Sequence, residues 1–240
     1  MRNESSFSLL ISIIIPAREA DVELRRCVDS VRVACPDHQK CQIIVVLPAS
    51  EIDKAIVLLP EEDIITERKP GIYGAMNTGV VASLGRYLYF LGKDDIVLSR
   101  FSEALELLEL ESPDSLFFDV FWGVKGVVSG KPSRWRILLK NICHQGIIYS
   151  REILLTHGPY LARMCVQADH LLNIRLLWNS SQSLRIEYMR LPLAWYSDTG
   201  FSTVNACDPT FWRLYPLIVQ KYVGKWAACL VIIYRKLRGY

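Results

Sequence analysis

Between Leu9 and Leu91, apolar runs of strand length alternate with segments whose apolar positions recur at helical spacing. Leu9 to Ile15 and Gln42 to Leu47 are β-branched runs, and between them Asp21 to Val33 sets Val22, Leu24, Val28 and Val31 near a 3.6-residue period, a β-α-β pattern. Asp63 to Thr66 predicts a short strand. Gly71 to Ser83 predicts a helix with Ile72, Ala75, Met76, Gly79 and Val80 on one face, and Arg86 to Leu91 a further strand. Strands separated by helices imply parallel crossovers, and an open parallel sheet binds ligands beyond the carboxyl ends of its strands. Function is therefore expected after Ile15, Leu47, Thr66 and Leu91.

The second half is less regular. Phe101 to Leu110 predicts an amphipathic helix, Ser115 to Phe121 a strand, Trp122 to Pro132 a hairpin-like stretch and Lys131 to Lys140 a surface loop. A strand at Gly146 to Ser150 and a helix at Gln167 to Trp178 follow, and a helical tail runs roughly from Pro209 to Leu237. With no internal repeat or low-complexity segment, the economical division is one domain over residues 1–208 and a tail over 209–240. In the tail, Trp226, Leu230, Ile233 and Leu237 recur at helical spacing beside Lys221, Lys225, Arg235, Lys236 and Arg238. That pattern suits contact with an anionic membrane surface, and equally a helix packed on the domain with its basic residues solvated.

Composition narrows the class. At 240 residues and 51% hydrophobic the chain can bury a sizeable core, and 28 Lys+Arg against 25 Asp+Glu leave no charge excess that would make nucleic acid a partner. The longest unbroken apolar run, Trp226 to Tyr234, is too short to cross a bilayer. Phe7 to Ile15 could imitate a signal peptide, but Pro16-Ala17-Arg18-Glu19 behind it suits a first strand entering a loop. Seven cysteines form no CxxC pair and cannot all pair within one chain, so reduced thiols in the cytosol are expected. His38, His144, His157 and His170 share no metal-ligand spacing with the cysteines, which argues against zinc.

The chemistry concentrates after two strands. Leu91-Gly92-Lys93-Asp94-Asp95 sets two carboxylates side by side, where a hard divalent cation would relieve their repulsion, although an acidic residue opening the next helix reads the same way. Glu67-Arg68-Lys69-Pro70-Gly71-Ile72-Tyr73-Gly74-Ala75-Met76-Asn77 puts a basic, glycine-containing loop ahead of a helix, where backbone N–H groups can approach a diphosphate; an ordinary strand-to-helix turn is the plain alternative.

The order Ile11-Ser12-Ile13-Ile14-Ile15-Pro16, Gln42-Ile43-Ile44-Val45-Val46, Gly71-Ile72-Tyr73-Gly74-Ala75-Met76-Asn77-Thr78-Gly79 and Phe90-Leu91-Gly92-Lys93-Asp94-Asp95 resembles the family-2 glycosyltransferases of GT-A fold. Among them it is most similar to bacterial enzymes that build surface polysaccharides. Cys143-His144-Gln145-Gly146-Ile147-Ile148-Tyr149, Ala168-Asp169-His170 and Arg175 resemble the same subgroup. The fold implied is α/β, a Rossmann-related, open and mostly parallel sheet flanked by helices. The activity implied is inverting transfer of a sugar from a nucleotide-diphosphate donor to a hydroxyl of a glycan or lipid-linked acceptor. It would act in the cytoplasm, at the inner face of the cytoplasmic membrane if the tail attaches there.

Carried over residue by residue, the resemblance gives Asp95 to the divalent metal, Mn²⁺ or Mg²⁺, and Asp94 to the donor ribose or the metal's water shell. Pro16, Arg18, Glu19, Arg68, Lys69, Gly71 and Asn77 fall on the donor side, and His144 and Gln145 on the acceptor side. Asp169 becomes the general base, with helix capping as its alternative role. The chain departs from the family where Leu47-Pro48-Ala49-Ser50 replaces the usual base-reading aspartates, where Glu19 stands for a frequent Asn, and where Gly74 stands for a frequent acidic residue. A catalytically inactive scaffold subunit and a metal-dependent nucleotidyltransferase are the competing readings.

Overall fold

The computed structural model describes residues 9–37, 39–178, 183–197, 200 and 208–237, with residues 235–237 described by backbone alone. Strands β1 (Leu9–Pro16), β2 (Cys41–Leu47), β3 (Asp63–Thr66) and β4 (Gly85–Phe90) form the parallel half of a nine-stranded sheet. Helices α1 (Val22–Ala34), α2 (Ile52–Leu58) and α3 (Ile72–Ala82) supply the crossovers. Beyond β4 the order continues through β8 (Ile147–Ser150), β6 (Ser115–Trp122), β9 (Ile186–Tyr196) and β5 (Ile96–Val97), with β7 (Gly126–Val128) paired to β6. β8 runs antiparallel to both β4 and β6, while β6 and β9 are parallel.

β1 is apolar at every position but one because strands cover both its edges and helices both its faces. Its side chains divide by parity. Ile11, Ile13 and Ile15 join Leu24 and Val28 of α1 and Phe101 and Leu108 of α4 (Phe101–Glu111) in one core, whereas Ile14 joins Tyr73 and Met76 of α3 in the other. The polar exception in β1 is Ser12, whose buried hydroxyl donates to Gln42 at 2.6 Å and accepts from the backbone N–H of Gly85 at 2.8 Å, joining β1, β2 and the start of β4.

The second core also takes in α5 (Arg151–His157), α6 (Ala168–Trp178) and the C-terminal segment. The segment expected as one helical tail is two helices, α7 (Pro209–Tyr222) and α8 (Lys225–Leu237), divided at Gly224, whose φ of +123° ends the first helix. α7 does not stand apart from the domain. Phe211, Tyr215 and Val219 are fully buried, Tyr215 donates its hydroxyl to the Leu138 carbonyl at 2.6 Å, and Phe211 stacks on His170 of α6 with centroids 5.2 Å apart. Asp208 caps α7 and holds the N–H of Cys165 at 2.8 Å, fixing where the helix enters.

Four elements went unforeseen: α2, α5, the two-residue β5, and β9. β9 carries Pro192 at a register shift opposite Asp119, where a bulge tolerates the missing N–H. Buried Asp119 accepts from the Gly130 N–H and the Tyr188 hydroxyl, which holds the irregularity in place. The expected surface loop over Lys131 to Lys140 contains a 3₁₀ turn, Arg136–Leu138, with Ile137 and Leu138 buried. His38 lies outside the described residues.

Because α7 is part of the core, Phe211→Ala should destabilise the protein by about 3–5 kcal/mol, the usual range for emptying a buried aromatic site. Urea unfolding measures this, and a change under about 1 kcal/mol would show that α7 is dispensable packing.

Candidate active site

The carboxyl ends of β1 to β4 open on a cleft of about 820 Å³. Pro16, Ala17 and Arg18 reach it from β1, Pro48 from β2 and Glu67 from β3, while Gly71, Ile72 and Tyr73 bring the N-terminus of α3. Leu91 to Asp94 enter from β4, and residues 140–145, Gln167 and Asp169 close the far wall. Gly71 precedes α3 with φ +98° and no side-chain cap, so the unpaired N–H groups of the first turn are left to the cleft. Gly74 is fixed by space, since a Cβ there would lie 2.2 Å from the Lys69 carbonyl oxygen. The acidic residue frequent at this place in the family has no room here.

The adjacent aspartates have different surroundings. Asp95 is 1% exposed and its carboxylate is occupied, accepting from the N–H of Gly92 at 2.8 Å, Gln145 Nε2 at 2.7 Å and the N–H of Ser197 at 3.1 Å. Burial, and then the charge of Asp94, push its carboxyl up to about 7 against the lowering effect of those three donors. Asp94 is the partner that faces the cleft. Asp95, the residue matched to the metal by resemblance, thus has two donors on Oδ2 and one on Oδ1 and is enclosed, whereas Asp94 presents its carboxylate to the cleft.

Asp169, near the start of α6, lies on the cleft wall, with Tyr73 donating its hydroxyl to Oδ1 at 2.7 Å and Asn141 its amide to Oδ2 at 2.5 Å. Asn141 is in turn held by Asn173, whose Oδ1 accepts from Tyr149. His144 also lines the cleft, stacked on Phe90 at 5.0 Å and bonded through Nε2 to the Tyr160 hydroxyl at 3.1 Å; burial holds its imidazole below the usual histidine range. Gln145 reaches the wall, but its amide is committed to Asp95 and to the thiol of Cys143.

Four of the donor-side candidates lie off the cleft wall. Glu19, Arg68 and Lys69 are exposed and lie off the cleft wall. Asn77 has both ends of its amide on the backbone of Tyr160, at 2.9 Å each, so it clamps α3 to that loop. Pro16, Arg18 and Gly71 do line the cleft. Lys93, unremarked in the sequence, pairs with Asp21 at the head of α1 and with Glu23 at 3.5 Å. Trp122 and Tyr196 also line the cleft, brought together by the β6–β9 register with their rings edge to face at 4.7 Å. Their separation in sequence left no local signal.

Residues 12–160 match the family model described as glycosyl transferase family 2. The chain belongs to this family. It is similar to a PGL/p-HBAD biosynthesis glycosyltransferase of Mycobacterium bovis, 32% identical over 226 residues that cover 87% of this chain and 84% of that protein. A protein of the same description in Mycobacterium tuberculosis shows the same identity and coverage. Among solved structures, S. aureus TarS 1-349 in complex with UDP-GlcNAc superposes with a TM-score of 0.72 at 12% identity, over 93% of this chain and 70% of that one. Glucosyl-3-phosphoglycerate synthase from Mycobacterium tuberculosis, in complex with Mn²⁺, UDP and glucosyl-3-phosphoglycerate, gives 0.59 at 17% identity, over 90% and 80%. The family-2 member is thus a glycosyltransferase of GT-A fold, and the nucleotidyltransferase reading falls away. Among the described residues no helix is long and apolar enough to cross a membrane.

The two aspartates should separate on substitution. In Asp95→Asn an amide N–H₂ must face one of three buried donors, so stability should drop by about 1–3 kcal/mol, while Asp94→Asn should stay within about 0.5 kcal/mol of the parent. Urea denaturation of both variants decides it, and equal stability would contradict the different burial.

Proposed function

We propose that this glycosyltransferase moves a sugar, with inversion, from a nucleoside-diphosphate sugar to a hydroxyl of a glycan or lipid-linked acceptor in cell-surface glycan synthesis. The observation that carries the reading is the convergence on one cleft of Asp94, the open first turn of α3 and the braced carboxylate of Asp169. The relatives named for PGL/p-HBAD biosynthesis support the acceptor class, and the UDP-sugar complex of TarS supports the donor class.

The donor set fits a divalent cation of the Mg²⁺ or Mn²⁺ type. Among the described residues there is no cluster of three metal-ligating side chains, and these cations commonly take one or two carboxylates with the remaining positions filled by substrate phosphates and water. Asp94 would supply that carboxylate. A cation held there would neutralise charge developing on the departing diphosphate. The N-terminus of α3 adds positive dipole at the cleft wall, and Asp95 holds the turn that aims Asp94.

Asp169 would take the acceptor proton. Tyr73 and Asn141 each use one lone pair of the carboxylate, which fixes its plane and leaves a lone pair on each oxygen for the incoming hydroxyl. As the acceptor oxygen bonds to the anomeric carbon, its proton passes to Asp169, and the bond from that carbon to the diphosphate oxygen breaks. Attack and departure on opposite faces of the sugar give inversion.

Asp169→Asn keeps the shape and should leave donor binding intact while turnover falls on the order of 10²–10⁴-fold. Asp94→Asn should abolish the Mn²⁺-stimulated part of nucleotide-sugar binding, read by calorimetry. A wild-type protein that bound no nucleotide sugar with Mn²⁺ or Mg²⁺ would instead support a scaffold.

A further inference from the structure

We infer that α8 is a docking surface for an anionic lipid bilayer, on which Trp226, Leu230 and Ile233 enter the headgroup boundary. Its inward face is already used: Ala228 and Val231 are each 5% exposed and belong to the second core. Trp226, Leu230 and Ile233 follow at i, i+4 and i+7, one stripe of the helix, and are 87%, 65% and 54% exposed. Ile232 and Tyr234 add exposed apolar surface beside them. A helix on the exterior of a globular domain normally turns polar residues outward, so a second apolar face marks a contact still to be made.

Charge selects the occupant. From Pro209 to the C-terminus the sequence has six basic residues, Arg213, Lys221, Lys225, Arg235, Lys236 and Arg238, and no acidic one; all 25 Asp and Glu precede it. Lys221 and Lys225, which flank the start of α8, are exposed. A second copy of the chain seated on this face would bring two wholly cationic segments together, whereas lipid phosphates would neutralise them. Thirteen residues span about 20 Å, too short to cross a bilayer and long enough to lie along its surface. Trp226 beside Lys225 pairs an amphipathic ring with a cation, as interfacial segments do.

The test is sedimentation of the full chain with phosphatidylcholine vesicles, with and without roughly one-third phosphatidylglycerol. Wild-type protein should bind the anionic vesicles, bind the neutral ones much less, and be released by about 1 M salt. Trp226→Ala, Leu230→Ser and Ile233→Ser combined should lower the partition coefficient at least ~10-fold without lowering the melting temperature, since all three side chains are exposed. Lys221→Glu with Lys225→Glu should do the same. Failure of wild type to bind anionic vesicles, equal binding by both variants, or a dimer that the triple variant turns into a monomer would overturn the inference. Vesicle binding requires no sugar transfer, so the outcome is independent of the chemistry in the cleft.

Discussion

The enclosed carboxylate of Asp95 is the constraint that ties three separate segments together beside the cleft. Its three donors come from three places: the turn directly after β4, the 3₁₀ turn His144–Gly146 that leads into β8, and the residue that follows β9. Two of the three are held again from elsewhere. The Cys27 thiol of α1 donates to the Gly92 carbonyl at 3.3 Å, and the Tyr89 hydroxyl to the Gln145 carbonyl at 2.7 Å. A buried anion with fewer partners would be costly, so the three chain segments cannot drift independently. Asp94 inherits its position from this arrangement.

The same division between holding and reacting recurs across the cleft. Asn77, Gln145, Asn141 and Asn173 spend their amides on backbone or on other side chains, and Lys93 spends its charge on α1. Groups committed in this way order the surroundings of the cleft and keep its geometry defined. Tyr73 shows the economy: on α3, whose other side chains pack the second core, it also braces Asp169.

Much of this was legible in the sequence because it is local. β1, β2, α1 and α3 announce themselves through apolar period, and the carboxylates fall at the strand end where parallel sheets place their chemistry. Which aspartate faces the cleft was not legible: Asp94 and Asp95 are neighbours of one type, and the donors that enclose Asp95 lie up to 102 residues away. Residue type alone does not place Arg68 and Lys69, which are exposed beside Glu67 and Pro70 of the cleft wall. β9 was hidden by Pro192, whose bulge is stabilised by partners on β6 and beyond. α7 read as an appendage because an apolar helical stripe looks the same whether it meets protein or lipid.

The position of β9 also sets an order of events during synthesis. It is inserted between β6 and β5, so β5, although only one residue beyond Asp95, has no partner strand until Ile186–Tyr196 has been made. Leu98 likewise waits for the carbonyl of Leu193. The parallel half from β1 to β4 can close through short crossovers, and the turn bearing both aspartates is held by Cys27 and Gln145 before its last donor, the Ser197 N–H, is in place. A chain lacking β9 would carry the parallel half-sheet but neither the strand that pairs β5 nor the Ser197 N–H that reaches Asp95.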